Sequence, residues 1–515
     1  MHSQRLLSQV DRDPDSPTYG CLDRNFWNYK IRDFASIIQQ QGILVLDVLY
    51  SYDIEENVYK GNEVIRSLIK GGVEFWVRSQ LQTGAFNEYY PNESGFPPTA
   101  FSLYAVSLIL KKYPEFQSEL VTKTIIKAVK WLLKHPEKEA LNQESAALAG
   151  IAIAQTLTGV LVDKKKFEVR LQQFYDAQHQ EGWFDEYGGP DLGYLSVTID
   201  SLWDIFKITK DERALHALTN AVDFISQFLT VSNDFPVMIN SRNTDYLVPY
   251  GLSGFGSMNK KAANLCRVLY SNFTSSAHIL HKTDDRYLTH YIGQSYFRGI
   301  LNISSVLKDA IPMPRDEQYT TYLAGCKIFI SHTSDKSIIV SLKKGGIVNV
   351  FDNDGIYKAD YGWRAKIKNR MAVTHWQNDE YNCSYAISDD QMLLSVRGYF
   401  SLHKYVRPSV GGHIVLRILS FFLGNRIMRW LKTLLIFSSK NSGLEFRREI
   451  SIQKTQVQVK DTFVSKNKKY IIYEAPHYSL RHVSSAGRFV DEELIAEQEI
   501  VTLSGTGSSL FNIQL

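Results

Sequence analysis

Two loops 98 residues apart carry the same pattern, and this recurrence limits the fold more than any other feature of the chain. Gln82, Gly84, Phe86, Glu88 and Tyr89 recur as Gln180, Gly182, Phe184, Glu186 and Tyr187, each set following one helical run and preceding another. Between the copies a further helix begins at Leu141, Asn142, Gln143 and Glu144 and runs through an alanine-rich stretch to Ala154. Helix starts near residues 97, 142 and 191 are thus 45 and 49 residues apart. A period of ~50 residues holds two helices with their connections, and packing such hairpins side by side buries faces that no single pair can cover. HEAT-type repeats have almost the same length, so the period alone does not separate an open solenoid from a closed ring. The polar loops favour the ring. Asn, Asp, Glu, Arg and Tyr gather ahead of successive inner helices, and a closed arrangement brings them to one cavity.

Apolar residues recur at helical spacing from about residue 30 to 306, with no competing strand signal. After Pro312 and Pro314 the pattern changes to short β-rich runs such as those starting at Lys327, Ser337, Met392, Val457 and Lys469. A chain of 515 residues also exceeds the ~250–300 at which one core usually stops growing. The expected fold is therefore a multidomain α and β chain, with an N-terminal (α/α) toroid over 1–310 and a C-terminal antiparallel β-sandwich over 311–515.

One stretch breaks the β pattern. Residues 413–437 are strongly apolar, yet Arg417, Arg426, Arg429 and Lys432 interrupt them, which argues against a bilayer span. From Gln391 to Asn441 there are eight basic residues, with Arg397, Lys404, Arg407 and Lys440 completing the set, and no acidic one. An amphipathic insertion at about 408–440 is expected, either packed on the body or lying on an anionic membrane surface. Over the whole chain 58 Lys and Arg against 54 Asp and Glu leave +4, too little to suggest a nucleic-acid partner. The N-terminus lacks the apolar core of a secretory signal, so a cytoplasmic location is expected, peripheral on the inner membrane face if the insertion docks there. Cys21, Cys266, Cys326 and Cys383 are far apart with no metal spacing, so free thiols, no metal and no cofactor are expected.

Chemistry concentrates in the loops ahead of the inner helices. The second glycine loop brings Glu186, Asp191 and Tyr194 together around a Gly-Gly-Pro corner, although Asp191 could equally cap the next helix. Asn87, Glu88 and Tyr89 repeat that polar chemistry in the first loop, and Arg242, Asn243 and Tyr246 occupy another, where Arg242 could instead pair with Asp245. These residues read as a substrate cleft, and 29 tyrosines in the chain suit a cavity that holds sugars or acidic chains.

The second loop resembles that of the heparinase II/III-like polysaccharide lyases, and more loosely of the alginate lyases, whose pattern is Asp-Gly-x-x-x-Glu-x-Ser-x-x-Tyr-His. Gly182 and Glu186 look like the Gly and Glu of that loop and Tyr194 like its catalytic tyrosine, with Glu181 in place of the Asp and Leu195 where the histidine would follow. Asn142 resembles the family asparagine at the head of an earlier inner helix, with Gln143 in place of its histidine neighbour. The resemblance implies a toroid joined to a β-sandwich, an acidic polysaccharide or lipid-linked glycan as partner, and a histidine from the β domain. His375 is the first candidate, followed by His403, His477 and His482.

In such a lyase Asn142 and Arg242 would neutralise a uronate carboxylate, while Tyr194, its pKa lowered by positive charge, would remove the adjacent proton, and the same or a neighbouring phenol would protonate the departing glycosidic oxygen. Cleavage by β-elimination, linked to cell-surface polysaccharide production, is the preferred expectation. A glycoside hydrolase on the same toroid, using a pair from Glu88, Glu186 and Asp191, is one alternative. A non-catalytic glycan-binding or assembly protein is the other.

Overall fold

The structure, a computed structural model, describes residues 2–53, 56–271, 273, 278–309, 319–367, 370–388, 391–404, 409–424, 426–427, 440–477, 494 and 500–515. Its N-terminal part alternates amphipathic outer helices with inner helices buried almost all round. The outer set is α2 (Glu63–Arg78), α4 (Glu119–Lys134), α6 (Lys164–Asp176), α8 (Glu212–Ser226) and α10 (Lys260–Tyr270). The inner set is α1 (Ile43–Ser51), α3 (Phe96–Lys112), α5 (Leu141–Ala154), α7 (Leu192–Thr209), α9 (Tyr250–Phe255) and α11 (Tyr291–Asp309). All 14 residues of α5 are buried, which explains why its sequence shows alanine rather than a polar stripe.

The repeat read from the sequence is a repeat of contacts. Trp76 of α2 stacks on Phe86 with ring centres 4.9 Å apart, and Phe174 of α6 stacks on Phe184 at 4.6 Å. Gln80 donates to the Gly84 and Thr124 carbonyls, and Gln178 donates to the Gly182 and Ala217 carbonyls. Both loop glycines have positive φ, +93° at Gly84 and +102° at Gly182. A Cβ at either would strike backbone of the next outer helix, Lys127 O at 2.7 Å or Asn220 O at 2.2 Å. Each inner helix packs on its neighbours, and α11 returns to α1, so the ring closes.

Strands follow from Tyr319. β1 (Tyr319–Leu323), β2 (Ile328–His332), β3 (Ser337–Ser341), β4 (Ile347–Asp352) and β5 (Gly355–Asp360) form an antiparallel meander. The second sheet holds β6 (Trp363–Ile367), β7 (Arg370–Val373), β8 (Asn382–Ile387), β9 (Met392–Lys404), β10 (Lys440–Ile452), β11 (Gln456–Glu474) and β12 (Ile500–Gln514). Period-two alternation places the first sheet between two cores. Ile328, Ile330, Ile339 and Phe351 join the helical core, whereas Phe329, Ile338, Val340 and Val350 pack on Val396, Phe400, Phe446 and Val459 of the second sheet. The result is a helical toroid followed by an antiparallel β-sandwich.

Polar bonds also join the two parts. Glu181 accepts from the Gly325 and Cys326 N–H groups, His332 bonds the Gln227 carbonyl, and Lys344 donates to the Asn240 carbonyl and to Asn243 Oδ1. The insertion forms α12 (Val410–Leu423) between β9 and β10. Arg407, Arg429 and Lys432 of its basic run lie outside the described residues. All four cysteines are free thiols, three of them buried. No helix among the described residues is long and apolar enough to cross a membrane.

Candidate active site

A cavity of about 740 Å³ opens at one end of the ring, where inner helices begin. Phe96, Gln143, Tyr194 and Tyr291, from the first turns of α3, α5, α7 and α11, all line it. Helix N-termini carry partial positive charge, but Pro97 and Pro98 bring no N–H to the head of α3, and the Leu141, Asn142, Leu192 and Tyr194 N–H groups are already bonded to Asp185, Glu186, Asn240 and Asp191. The wall holds Lys134, Lys138, Arg242 and Arg286 together with Glu88, Glu93, Glu137 and Glu139, and of these Arg286 is paired with Glu88.

The second glycine loop is tied to the head of α5. Leu141 N–H donates to the Asp185 carbonyl, Tyr187 N–H donates to the Glu139 carbonyl, and Glu186 Oε1 accepts from Asn142 N–H at 2.6 Å. Glu186 is fully buried, and that burial pushes its carboxyl well above the usual range. It holds the loop and does not line the cavity. Asp191 likewise works from behind the wall. One oxygen caps α7 by accepting from Tyr194 N–H at 3.1 Å, and the other accepts from Arg242 N–H at 3.1 Å. Neither carboxylate meets the cavity, so the hydrolase pairings that used Glu186 or Asp191 have no access to a sugar there.

Tyr194, Arg242, Glu88 and Tyr89 do line it. The Arg242 guanidinium lies over the Tyr187 ring, 5.2 Å from its centre, and its Nε meets no hydrogen-bond partner among the described residues. Glu88 is held by Arg286 at 2.6 Å, and the same guanidinium covers Tyr89. The expected lowering of the Tyr194 pKa is reversed. Burial and the Tyr187 phenol raise it well above 10, against an opposing pull from Arg242, so the phenol is neutral in the open cleft.

The other expected contacts stand apart from the cavity. Asn142 is buried one residue from the wall, its Oδ1 unpartnered among the described residues, while Gln143 reaches the cavity and donates to the Tyr187 hydroxyl at 3.1 Å. Asn243 accepts from Lys344 at the junction with the β domain, and Tyr246 packs behind Tyr287 and Tyr291. The Asn87 carbonyl accepts from Ile37 N–H. His375 is buried in the loop after β7 and does not line the cavity, nor does His477, which packs on Tyr361. The His403 side chain and His482 lie outside the described residues.

One wall was not anticipated. Arg286, Tyr287, His290 and Tyr291 enter from the loop ahead of α11. His290 is buried, packs edge-on against Tyr291 with ring centres 4.4 Å apart, and has no hydrogen-bond partner on either nitrogen among the described residues. Burial and the nearby Arg286 hold its pKa well below 6.5, so it is a neutral imidazole. The signal was a polar run, Asp284 to Arg286, ahead of an apolar helix, as in the other inner loops but without the glycine of the two repeated ones. On the facing wall Glu93 is pushed up to about 8 by burial and by Glu88. Among the described residues no cluster of His, Cys, Asp and Glu is arranged to hold a metal ion.

No protein-family model matches the chain, and no curated protein sequence matches it. Among solved structures, the chondroitin AC lyase of Streptomyces coelicolor A3, in complex with chondroitin sulphate, is similar at a TM-score of 0.54 and 8% identity, over 100% of this chain and 78% of that one. Heparan sulfate lyase HepC from Pedobacter heparinus gives 0.40 and 8%, over 92% and 69%. A GH127 beta-L-arabinofuranosidase from Geobacillus stearothermophilus T6 gives 0.33 and 10%, over 100% and 93%. The first shows that this chain has a polysaccharide lyase-like fold; the other two are too distant to add to that.

Proposed function

We propose that the chain is a carbohydrate-active enzyme that cleaves an acidic, uronate-containing glycan by β-elimination in the toroid cleft. The observation that carries this reading is Arg242, its Nε without a partner among the described residues, on the cavity that holds Tyr194 and His290. A carboxylate on the sugar finds its countercharge there, which acidifies the neighbouring C–H and stabilises the enolate that develops. Arg242 and the Gln143 amide take the carboxylate, with Gln143 in the role first given to the recessed Asn142.

The phenol and imidazole then divide the proton transfers. His290, neutral and unpaired, accepts the proton from C5; the electron pair forms the C4–C5 double bond as the C4–O bond breaks. Tyr194, a neutral phenol, protonates the departing oxygen, and proton return from His290 to Tyr194 through solvent resets the site. Of the two roles open to Tyr194 from the sequence this keeps the acid and moves the base to His290, because burial keeps the phenol protonated.

Hydrolysis is the second reading, favoured by one observation. Glu88 and Glu93 both line the cavity, and Glu93 carries a pKa raised to about 8, as a general acid requires. Against it, the Glu93 carboxylate already accepts from the Glu88, Tyr89 and Tyr90 N–H groups, which makes it a clasp for its own loop. Incubation with a panel of uronate-containing and neutral glycans separates the readings. Elimination yields an ultraviolet-absorbing unsaturated end; hydrolysis yields reducing ends without absorbance; a binding protein yields neither.

A further inference from the structure

The insertion helix α12 has two faces of opposite character. Ser420 is buried and Leu416 and Leu419 are partly buried, and these three share the face turned to the toroid. On the opposite face stand Val410, Ile414, Val415, Ile418, Phe421 and Phe422, each 53–80% exposed. An apolar surface of this kind needs a partner. The helix is fastened at its flank and back. Arg417 makes two hydrogen bonds to Asp33, at 2.7 and 2.9 Å, and Ser420 Oγ donates to the Pro91 carbonyl at 2.9 Å. The arm that carries Asp33 exposes Tyr29 and Ile31 as well.

We infer that α12 is an interfacial anchor that docks the protein on an anionic lipid bilayer. Charge selects this occupant. The run from Gln391 to Asn441 has eight basic residues and no acidic one in a chain whose net charge is only +4, and Arg426 and Lys440, both after α12, are exposed. A helix of 14 residues is ~21 Å long, too short for a bilayer core of ~30 Å. It therefore lies in the interface, with Phe421 and Phe422 among the acyl chains and the arginines at phosphate level. Pro91 belongs to the loop that supplies Tyr89 and Glu93 to the cleft. Docking thus sets the cleft rim beside the leaflet, which, on the function proposed above, favours a glycan held at that surface.

Sedimentation of the full chain with vesicles of phosphatidylcholine alone, or mixed with phosphatidylglycerol, tests the anchor. The protein should bind the mixed vesicles, release as salt rises, and bind the neutral ones weakly. The combined substitution Ile414→Ser, Ile418→Ser, Phe421→Ser and Phe422→Ser should reduce the bound fraction roughly ten-fold or more without moving the thermal midpoint, because these side chains face solvent. Arg426→Glu with Lys440→Glu should weaken only the anionic arm. Turnover of a soluble glycan involves none of these positions, so its loss or persistence speaks to the cleft and not to the anchor. Equal binding by the four-serine variant, or no vesicle binding by the parent, would overturn the inference. So would a parent dimer in light scattering that the four serines dissolve without any vesicle binding, since a second copy would then be the occupant.

Discussion

Glu186 accepts a hydrogen bond at 2.6 Å from the backbone N–H of Asn142, and through it the second glycine loop is clasped to the head of an inner helix. The carboxyl is fully buried and its second oxygen has no partner among the described residues. Glu186→Gln retains an acceptor for that N–H and should lower stability by less than ~1 kcal/mol, whereas Glu186→Ala leaves it unpaired in a void and should cost about 2–3 kcal/mol. Urea unfolding of the two variants checks the difference, and equal losses would contradict a role for the bond.

Tyr194 sits in the first turn of α7, its N–H bonded to the Asp191 cap. Tyr194→Phe keeps the ring and removes the proton donor, so kcat should fall by about 10²–10⁴ while glycan affinity changes little. His290→Asn should act in the same direction. If either variant instead raises KM with kcat intact, that residue binds substrate and takes no part in proton transfer.

Gly182 and Gly188 separate backbone strain from collision. Both have positive φ, but a Cβ at Gly182 would lie 2.2 Å from Asn220 O, while at Gly188 it would meet nothing within 4 Å. Gly188→Ala should therefore cost only ~1–2 kcal/mol, and Gly182→Ala ~3 kcal/mol or more. Thermal unfolding of the pair gives the comparison.

Asp200 predicts a pH dependence. It is buried behind α9, with Oδ1 accepting from Gly251 N–H at 2.7 Å and Oδ2 unpartnered among the described residues, and burial raises its pKa from 3.8 to about 7. Between those values the folded chain binds a proton that the unfolded chain has lost, so this group's contribution falls as pH rises from 4 to 7. Asp200→Asn removes the charge and keeps an acceptor for the Gly251 N–H and the Ser295 hydroxyl. It should flatten that part of the stability profile and raise the midpoint at pH 8, as calorimetry across the window would show. Lys344, lowered to about 7 by burial, works in a different window, since its penalty is relieved as pH rises from 7 toward 10.5.

Much of the fold was legible because helical repeats leave a period in the sequence. Gly84 and Gly182 marked the loops, and the starts near 97, 142 and 191 marked inner helices that begin at Phe96, Leu141 and Leu192. Tyr194, Arg242, Glu88 and Tyr89 were found because polar residues ahead of an inner helix face the cavity. Depth was not legible. Composition does not tell Asn142 from Gln143, adjacent on one helix turn, and the structure turns the second toward the cleft. Nor does it tell a capping carboxylate such as Asp191 from one that meets ligand. His290 escaped because its loop carries neither the glycine motif nor the family resemblance that marked Asn142, and His375 was favoured by analogy although the β domain buries it.

The central claim is that this cleft opens a uronate glycan by elimination with Tyr194 as proton donor. Ultraviolet absorbance and reducing ends, followed together for the parent chain and Tyr194→Phe on the same acidic polysaccharide, test it most directly. Absorbance should rise in step with new ends for the parent and stay flat for the variant. New ends without absorbance, or absorbance that persists in Tyr194→Phe, would contradict it.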